Sequence, residues 1–267
     1  MDASVSRLDS IVDLNALPFG VREQLYLRLV PDELLRQLAI DRATLRGPGG
    51  ERLVRITAHD ATAWARVEVR AGANDRDPVL LVDIGMSAFA VPELAFVQIG
   101  NPSAPRFGID RDEDGQDTLL GTNGRNTREE ARALAAGLAP GQVRGGLRML
   151  GRVLECMDAF CALLGRELYL VEPLFYHSAI LYERHGCDYF IGRERMEKIH
   201  DDFQSGGALG QRLDDSSPFR RPEFGNSVRG RSWAIHDGVL GEPWNHMKMY
   251  RVPGRPAGVS TFPGARY

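Results

Sequence analysis

The sequence predicts an α/β fold in which a mixed, mostly antiparallel central sheet is flanked by helices. Three observations carry that expectation. Residues 51–122 show the two-residue alternation and short apolar runs of strands. Residues 128–193 alternate helical and strand-like segments, and residues 1–50 carry apolar side chains at helical spacing.

At 267 residues the chain is long enough to bury a substantial core, and its 43% hydrophobic and 26% charged residues are ordinary for a globular protein. A formal net charge of −3 argues against a general nucleic-acid binder. Of the 33 basic residues only Lys198 and Lys248 are lysines. Cys156, Cys161 and Cys187 form neither a CxxC pair nor an even framework, which points to reduced thiols. The opening lacks a basic segment followed by an apolar run, and no apolar stretch approaches the ~20 residues that span a bilayer. A cytoplasmic protein without a membrane segment is therefore expected.

In chain order, Val21 to Val30 reads as a helix, and Pro31-Asp32-Glu33 opens a second with acidic residues in its first turn, where the helix dipole favours them. Leu34, Leu35 and Leu38 face inward on it. Gly47-Pro48-Gly49-Gly50 breaks the pattern. Strands follow at Leu53–Thr57, Ala63–Arg70, Pro78–Ile84 and Leu94–Ile99, and Arg106–Asp110 with Asp117–Leu120 suggests a hairpin, for a meander of five or six strands. Thr127 with Glu130 three residues on makes a capping box for a helix to Leu138. Pro140-Gly141 starts a long helix whose stripe of Val143, Leu147, Leu150, Val153, Leu154, Met157, Phe160, Cys161 and Leu164 faces the core, with Arg144, Arg148 and Arg152 on the other side. Glu167–Val171 is a strand. Pro173 to Tyr189 reads as a short helix stopped at Gly186, then a strand over Asp188–Ile191. A helix from Glu194 to Phe203 and a Gly-, Asp- and Pro-rich loop come next. Ser227–Asp237 and His246–Val252 read as two last strands. The organisation is thus a helical segment at 1–50, an α/β domain at 51–252 with an insertion at about 194–243, and an irregular tail at 253–267.

Several constellations bear on chemistry. Asp110-Arg111-Asp112-Glu113-Asp114-Gly115 matches the first half of a calcium-binding loop, but its twelfth position is Gly121 rather than a bidentate Glu, so an acidic hairpin tip is the better reading. Five of six histidines follow residue 170, none at HxxxH or HExxH spacing. His236 stands out because it ends a predicted strand ahead of Asp237-Gly238, where pockets open in mixed sheets. On that strand Arg229, Arg231, Trp233 and Ile235 share one face, suited to an anion or to a salt-bridged surface.

A resemblance adds to this. A long helix after a Gly-containing turn, a strand, a short helix ending Leu181-Tyr182-Glu183-Arg184-His185-Gly186 and further strands, the last beginning near Trp244-Asn245-His246, resembles the GNAT superfamily of N-acetyltransferases. Ser178, Leu181, Tyr182, Glu183 and Gly186 fall on that family's helix motif, while Phe175 and Cys187 stand where it has Asn and Phe. The resemblance covers about 90–193 and 244–252. It implies a GNAT-like sheet and acetyl-CoA or another acyl-CoA as co-substrate. The acceptor would be an amine on a small molecule or peptide, with no nucleic acid or membrane partner. By the same token Tyr182 is the acid that protonates the thiolate. Gln142, Arg144, Gly145, Gly146 and Arg148 lie at the pyrophosphate, with Leu147 at the loop's sixth position. The base is His236 or Glu172. Two other classes stay open: a fold of this type that binds an anionic ligand or a protein instead, and a metal enzyme drawing on His177, His200, His236 and His246. Assembly as a homodimer also stays open.

Overall fold

The computed structural model describes residues 8–267. The first seven residues of the predicted N-terminal helical segment lie outside them. The fold is α/β, with mostly antiparallel strands flanked by helices, as expected. No helix among the described residues is long and apolar enough to cross a membrane. The chain forms two compact units, each assembled from separated stretches.

The first unit holds the described residues up to Pro102, Gly146–Glu172 and Arg251–Arg255. Strands β1 (Val54–Ala58), β2 (Trp64–Val69), β3 (Leu80–Met86) and β4 (Pro92–Ile99) form an antiparallel meander, and β5 (Tyr169–Val171) joins β4 in parallel. Alternation in β2 is realised: Ala65, Val67 and Val69 are buried and Trp64, Arg66 and Glu68 are half-buried. Arg66 makes a bidentate pair with Asp83 across the strands, at 2.7 Å for both bonds. Helices α1 (Ile11–Asn15), α2 (Phe19–Tyr26) and α3 (Asp32–Gln37) precede the sheet. Asn15, fully buried, pins α1 to β2 by donating to the carbonyls of Thr62 and Trp64 and accepting from the Tyr26 hydroxyl at 2.5 Å.

The long helix α5 runs Leu150–Leu163, not from Pro140. Gly141 and Arg148 both have positive φ, 78° and 56°, which an α-helix excludes. Val153, Leu154, Met157, Phe160 and Cys161 form the buried stripe as expected, but Val143, Leu147, Arg144 and Arg148 lie ahead of the helix.

The second unit holds Ser103–Gly145, Pro173–Tyr250 and Pro256–Tyr267. It contains α4 (Thr127–Ala135), α6 (Tyr176–Arg184), α7 (Arg193–Asp202) and α8 (Val228–His236), with β6 (Asp188–Ile191) paired antiparallel to residues 248–250 of β7 (Lys248–Arg251). Its core gathers Phe107, Ile109, Ala133, Leu138, Phe219 and Trp233, whose indole N–H donates to the Leu138 carbonyl at 2.8 Å.

Three expectations need correction here. Ser227–Asp237 is not a strand: Ser227 caps α8 by accepting from the Gly230 N–H at 3.0 Å. Val228 and Gly230 through Ile235 are all buried, so no polar face exposed the helical period. Arg229, Arg231, Trp233 and Ile235 consequently share no single face. The hairpin at 106–120 is reduced to an isolated bridge between Arg111 and Asp117, leaving a meander of four strands. Asn126, not Thr127, caps α4, and Glu130 is buried instead of closing a capping box. The tail is irregular as expected but anchored: Thr261 donates its N–H and hydroxyl to Glu183, which also accepts from Tyr189.

Candidate functional site

The most distinctive feature of the first unit is where β4 parts from β5. Asp83 pairs with Phe96 but Ile84 pairs with Leu94, so Ala95 is an extra residue, a β-bulge. The parallel pairing with β5 covers only Glu93–Leu170 and Leu94–Val171. After the bulge, Ala95 to Ile99 stay on the β3 ladder, and on their other side no strand continues the pairing among the described residues. In an antiparallel pair only alternate residues direct their N–H and C=O at the partner, so the others project from this free side. All five residues are half-buried, unlike the alternating rows of β2.

Glu172 marks the apex of this opening. Its N–H donates to the Leu94 carbonyl at 3.3 Å, the last rung before the strands diverge, and the residue is half-exposed. Gly146 marks the far end. A Cβ there would meet the Ile99 carbonyl at 3.3 Å, so only glycine allows this approach without a shift. The chain then passes through Arg148, exposed and in a left-handed conformation, into α5. Met149 stands at the helix N-cap with no side-chain hydrogen bond to the first turn. Uncapped N–H groups at the positive end of a fourteen-residue helix make a setting for an anion.

The other residues expected at the pyrophosphate belong to the second unit and are engaged locally. Gln142 accepts from the Ala139 N–H at 2.8 Å, and Arg144 donates to the Ala104 carbonyl at 2.6 Å. Gly145 lies 3.7 Å, through its hypothetical Cβ, from Ala104. Tyr182 is buried in α6 at 3% exposure, one turn from Ser178. Gly186 adopts the left-handed φ of 84° that ends the helix, as its sequence predicts.

His236 sits in a different polar network, at the end of α8. Its Nε2 is 2.9 Å from Glu130 Oε1, while Arg125 donates to Glu130 Oε2 and to Asp237. Asp237 in turn accepts from Ser217 and Arg220. Burial pushes the Glu130 carboxyl up, but bonds from His236 and Arg125 outweigh it and hold it below the ordinary range. A carboxylate on Nε2 makes Nδ1 the basic nitrogen of the neutral ring. Phe175 and Trp233 meet the imidazole edge-on, and Gly121 closes on it. Leu119, Leu120 and Gly121 have successive positive φ of 47°, 59° and 94°, a strained turn that only glycine completes.

His177 is buried in the first turn of α6, with Nδ1 2.9 Å from the Ser232 hydroxyl. Burial, then Arg229 and His236, push its pKa down to about 3. The imidazole is therefore neutral, and Ser232, only 1% exposed, is a packed partner rather than a nucleophile. His200 bonds to Arg231 and Gln204. No group of three or more His, Cys, Asp or Glu among the described residues is arranged to hold a metal ion. In the acidic segment, Asp112 turns its carboxylate back onto the N–H groups of Asp114 and Gln116.

Sequence reasoning missed Ala95, Glu130 and Arg125. A bulge has no compositional mark in an apolar strand. Glu130 had a signal: Asn126 three residues before Glu129 competes with Thr127 as the cap and frees Glu130 for the interior. No family model matches this chain, and no curated protein or solved structure matches it either.

Proposed function

We propose that the chain is an acyl-CoA-dependent acyltransferase that moves an acyl group to an amine of a small molecule or peptide. The observation that carries this reading is the parting of β4 from β5 at the Ala95 bulge. An acyl-CoA holds its thioester on an extended arm with two amide groups. The backbone groups along Ala95–Ile99 that no strand pairs among the described residues can bind such an arm as an added strand. Gly146 against Ile99 and the uncapped start of α5, with Arg148, suit the diphosphate at the arm's far end. Gln142 and Arg144 serve instead to brace their own segment.

Glu172, at the apex, is the favoured base. The amine loses a proton to it, the nitrogen bonds to the thioester carbonyl carbon, and the carbon–sulfur bond breaks. The departing thiolate takes a proton from a donor or from water. The GNAT resemblance gives the donor role to Tyr182. A second reading gives the base to His236, favoured by Glu130 holding its Nε2 and leaving Nδ1 as the basic atom. Replacing each base in turn separates the two.

Calorimetry with acetyl-CoA tests the proposal. Saturable binding is expected, weakened by Arg148→Ala. Absence of binding at millimolar ligand would sink it, and would leave a binding module for another anion or a protein as the better account.

A further inference from the structure

Arg231 is the anomaly of the second unit. It is 2% exposed, yet no carboxylate among the described residues pairs with it. Its Nε donates to the Gly225 carbonyl at 2.7 Å, and its Nη1 reaches His200 Nδ1 at 3.1 Å and the Tyr176 hydroxyl at 3.5 Å. The guanidinium lies between Phe262, at 3.6 Å, and Phe203, at 5.0 Å. All these partners are neutral. Arg193, Arg220 and Arg125 elsewhere in this unit have carboxylates. Arg184 and Arg212 bond backbone carbonyls as Arg231 does, but neither is as deeply buried. A buried charge with no counter-charge is costly, and the cost falls when an anion comes near.

A cavity of about 350 Å³ shares neighbours with it, although Arg231 is not itself on the lining. Gly225 and Phe203, which line the cavity, are two of the groups that hold the guanidinium. A third lining residue, Gln204, bonds the His200 ring that bonds Arg231. The remaining lining mixes polar Ser205, Gln211 and Asn226 with glycines, Leu213 and Pro222, and it carries no charged side chain. The volume suits a small metabolite.

We propose that this cavity binds a small anion, a phosphate- or carboxylate-bearing molecule, with Arg231 as the charge behind its wall. The site is separate from the β4 opening and does not depend on acyl transfer. His200 adds a linked signature: burial and then Arg231 lower its pKa, and an anion beside Arg231 relieves the second effect. Bound anion therefore raises the pH at which the His200 ring protonates.

Calorimetry with inorganic phosphate and with succinate, alongside NMR titration of the His200 ring, tests this. The expected result is saturable binding with a Kd on the order of 1 mM, weakened at least tenfold in Arg231→Gln. The His200 titration should shift upward with ligand. Asn226→Trp, at an exposed lining position, should block binding with Arg231 and the fold intact. Binding of phosphate alone points to a phosphorylated ligand; binding of both points to any small oxyanion. No saturable binding up to about 50 mM overturns the proposal. So does binding that survives both Arg231→Gln and Asn226→Trp, or that is lost only with Arg148→Ala, since that response belongs to the start of α5.

Discussion

Acidification should expose the buried neutral state of His177. Its folded pKa of about 3 lies below the ordinary 6.5, because burial, Arg229 and His236 all oppose a charge there. Below pH 6.5 the unfolded chain takes up a proton at this residue and the folded chain does not until near pH 3. The associated stability is complete above 6.5 and is lost as the pH falls toward 3. Each pH unit in that window costs about 1.4 kcal/mol, so the step from pH 7 to pH 5 removes about 2 kcal/mol. Other ionisable groups also change charge on acidification, so the comparison must isolate one residue. His177→Gln keeps an acceptor for the Ser232 hydroxyl and cannot ionise. Urea unfolding at both pH values, for the two proteins, gives the difference. The wild type should lose about 2 kcal/mol more than the variant. Equal losses would refute the argument, because they require His177 to protonate as readily in the folded state as in the unfolded one.

Glu130→Gln removes a buried carboxylate from between Arg125 and His236, and should cost about 3 kcal/mol by urea unfolding. A loss under about 0.5 kcal/mol would mean that solvent already screens the pair. Gly121→Ala combines a φ of 94° with a Cβ 2.5 Å from His236 Cε1, and should cost about 2 kcal/mol or more, read as a lowered midpoint. In an acyl-transfer assay, Glu172→Gln should lower kcat roughly a hundredfold with KM within a fewfold, while an equal effect of His236→Gln instead would move the base to the second unit. Tyr182→Phe should lower turnover much more than acyl-CoA affinity; unchanged turnover would remove it from the chemistry.

Local signals survived folding where local physics decides conformation. Gly186 stops α6 because a left-handed residue must follow the last turn, and β2 alternates because one face is buried. The strand at Asp188–Ile191 was legible to the residue, following directly on the Gly186 stop. Legibility failed for α8, whose burial on nearly all sides erased the polar face that marks a helix. It failed at Glu130 too, since a capping box and a buried ion pair call for the same residue type. The arginine excess also acquires a structural use: Arg144, Arg166, Arg184, Arg195 and Arg231 donate to backbone carbonyls and brace irregular segments.

The amino-acid order by itself determined the α/β class, the strand periods and the helix around Tyr182, because these follow from side-chain spacing and backbone preference within a few residues. Only tertiary structure decided that β4 leaves β5 at Ala95, that Glu172 stands where they part, and that Arg231 is buried with no carboxylate partner among the described residues. Those features depend on which distant backbone and side-chain groups find partners, and spacing along the chain carries no record of that.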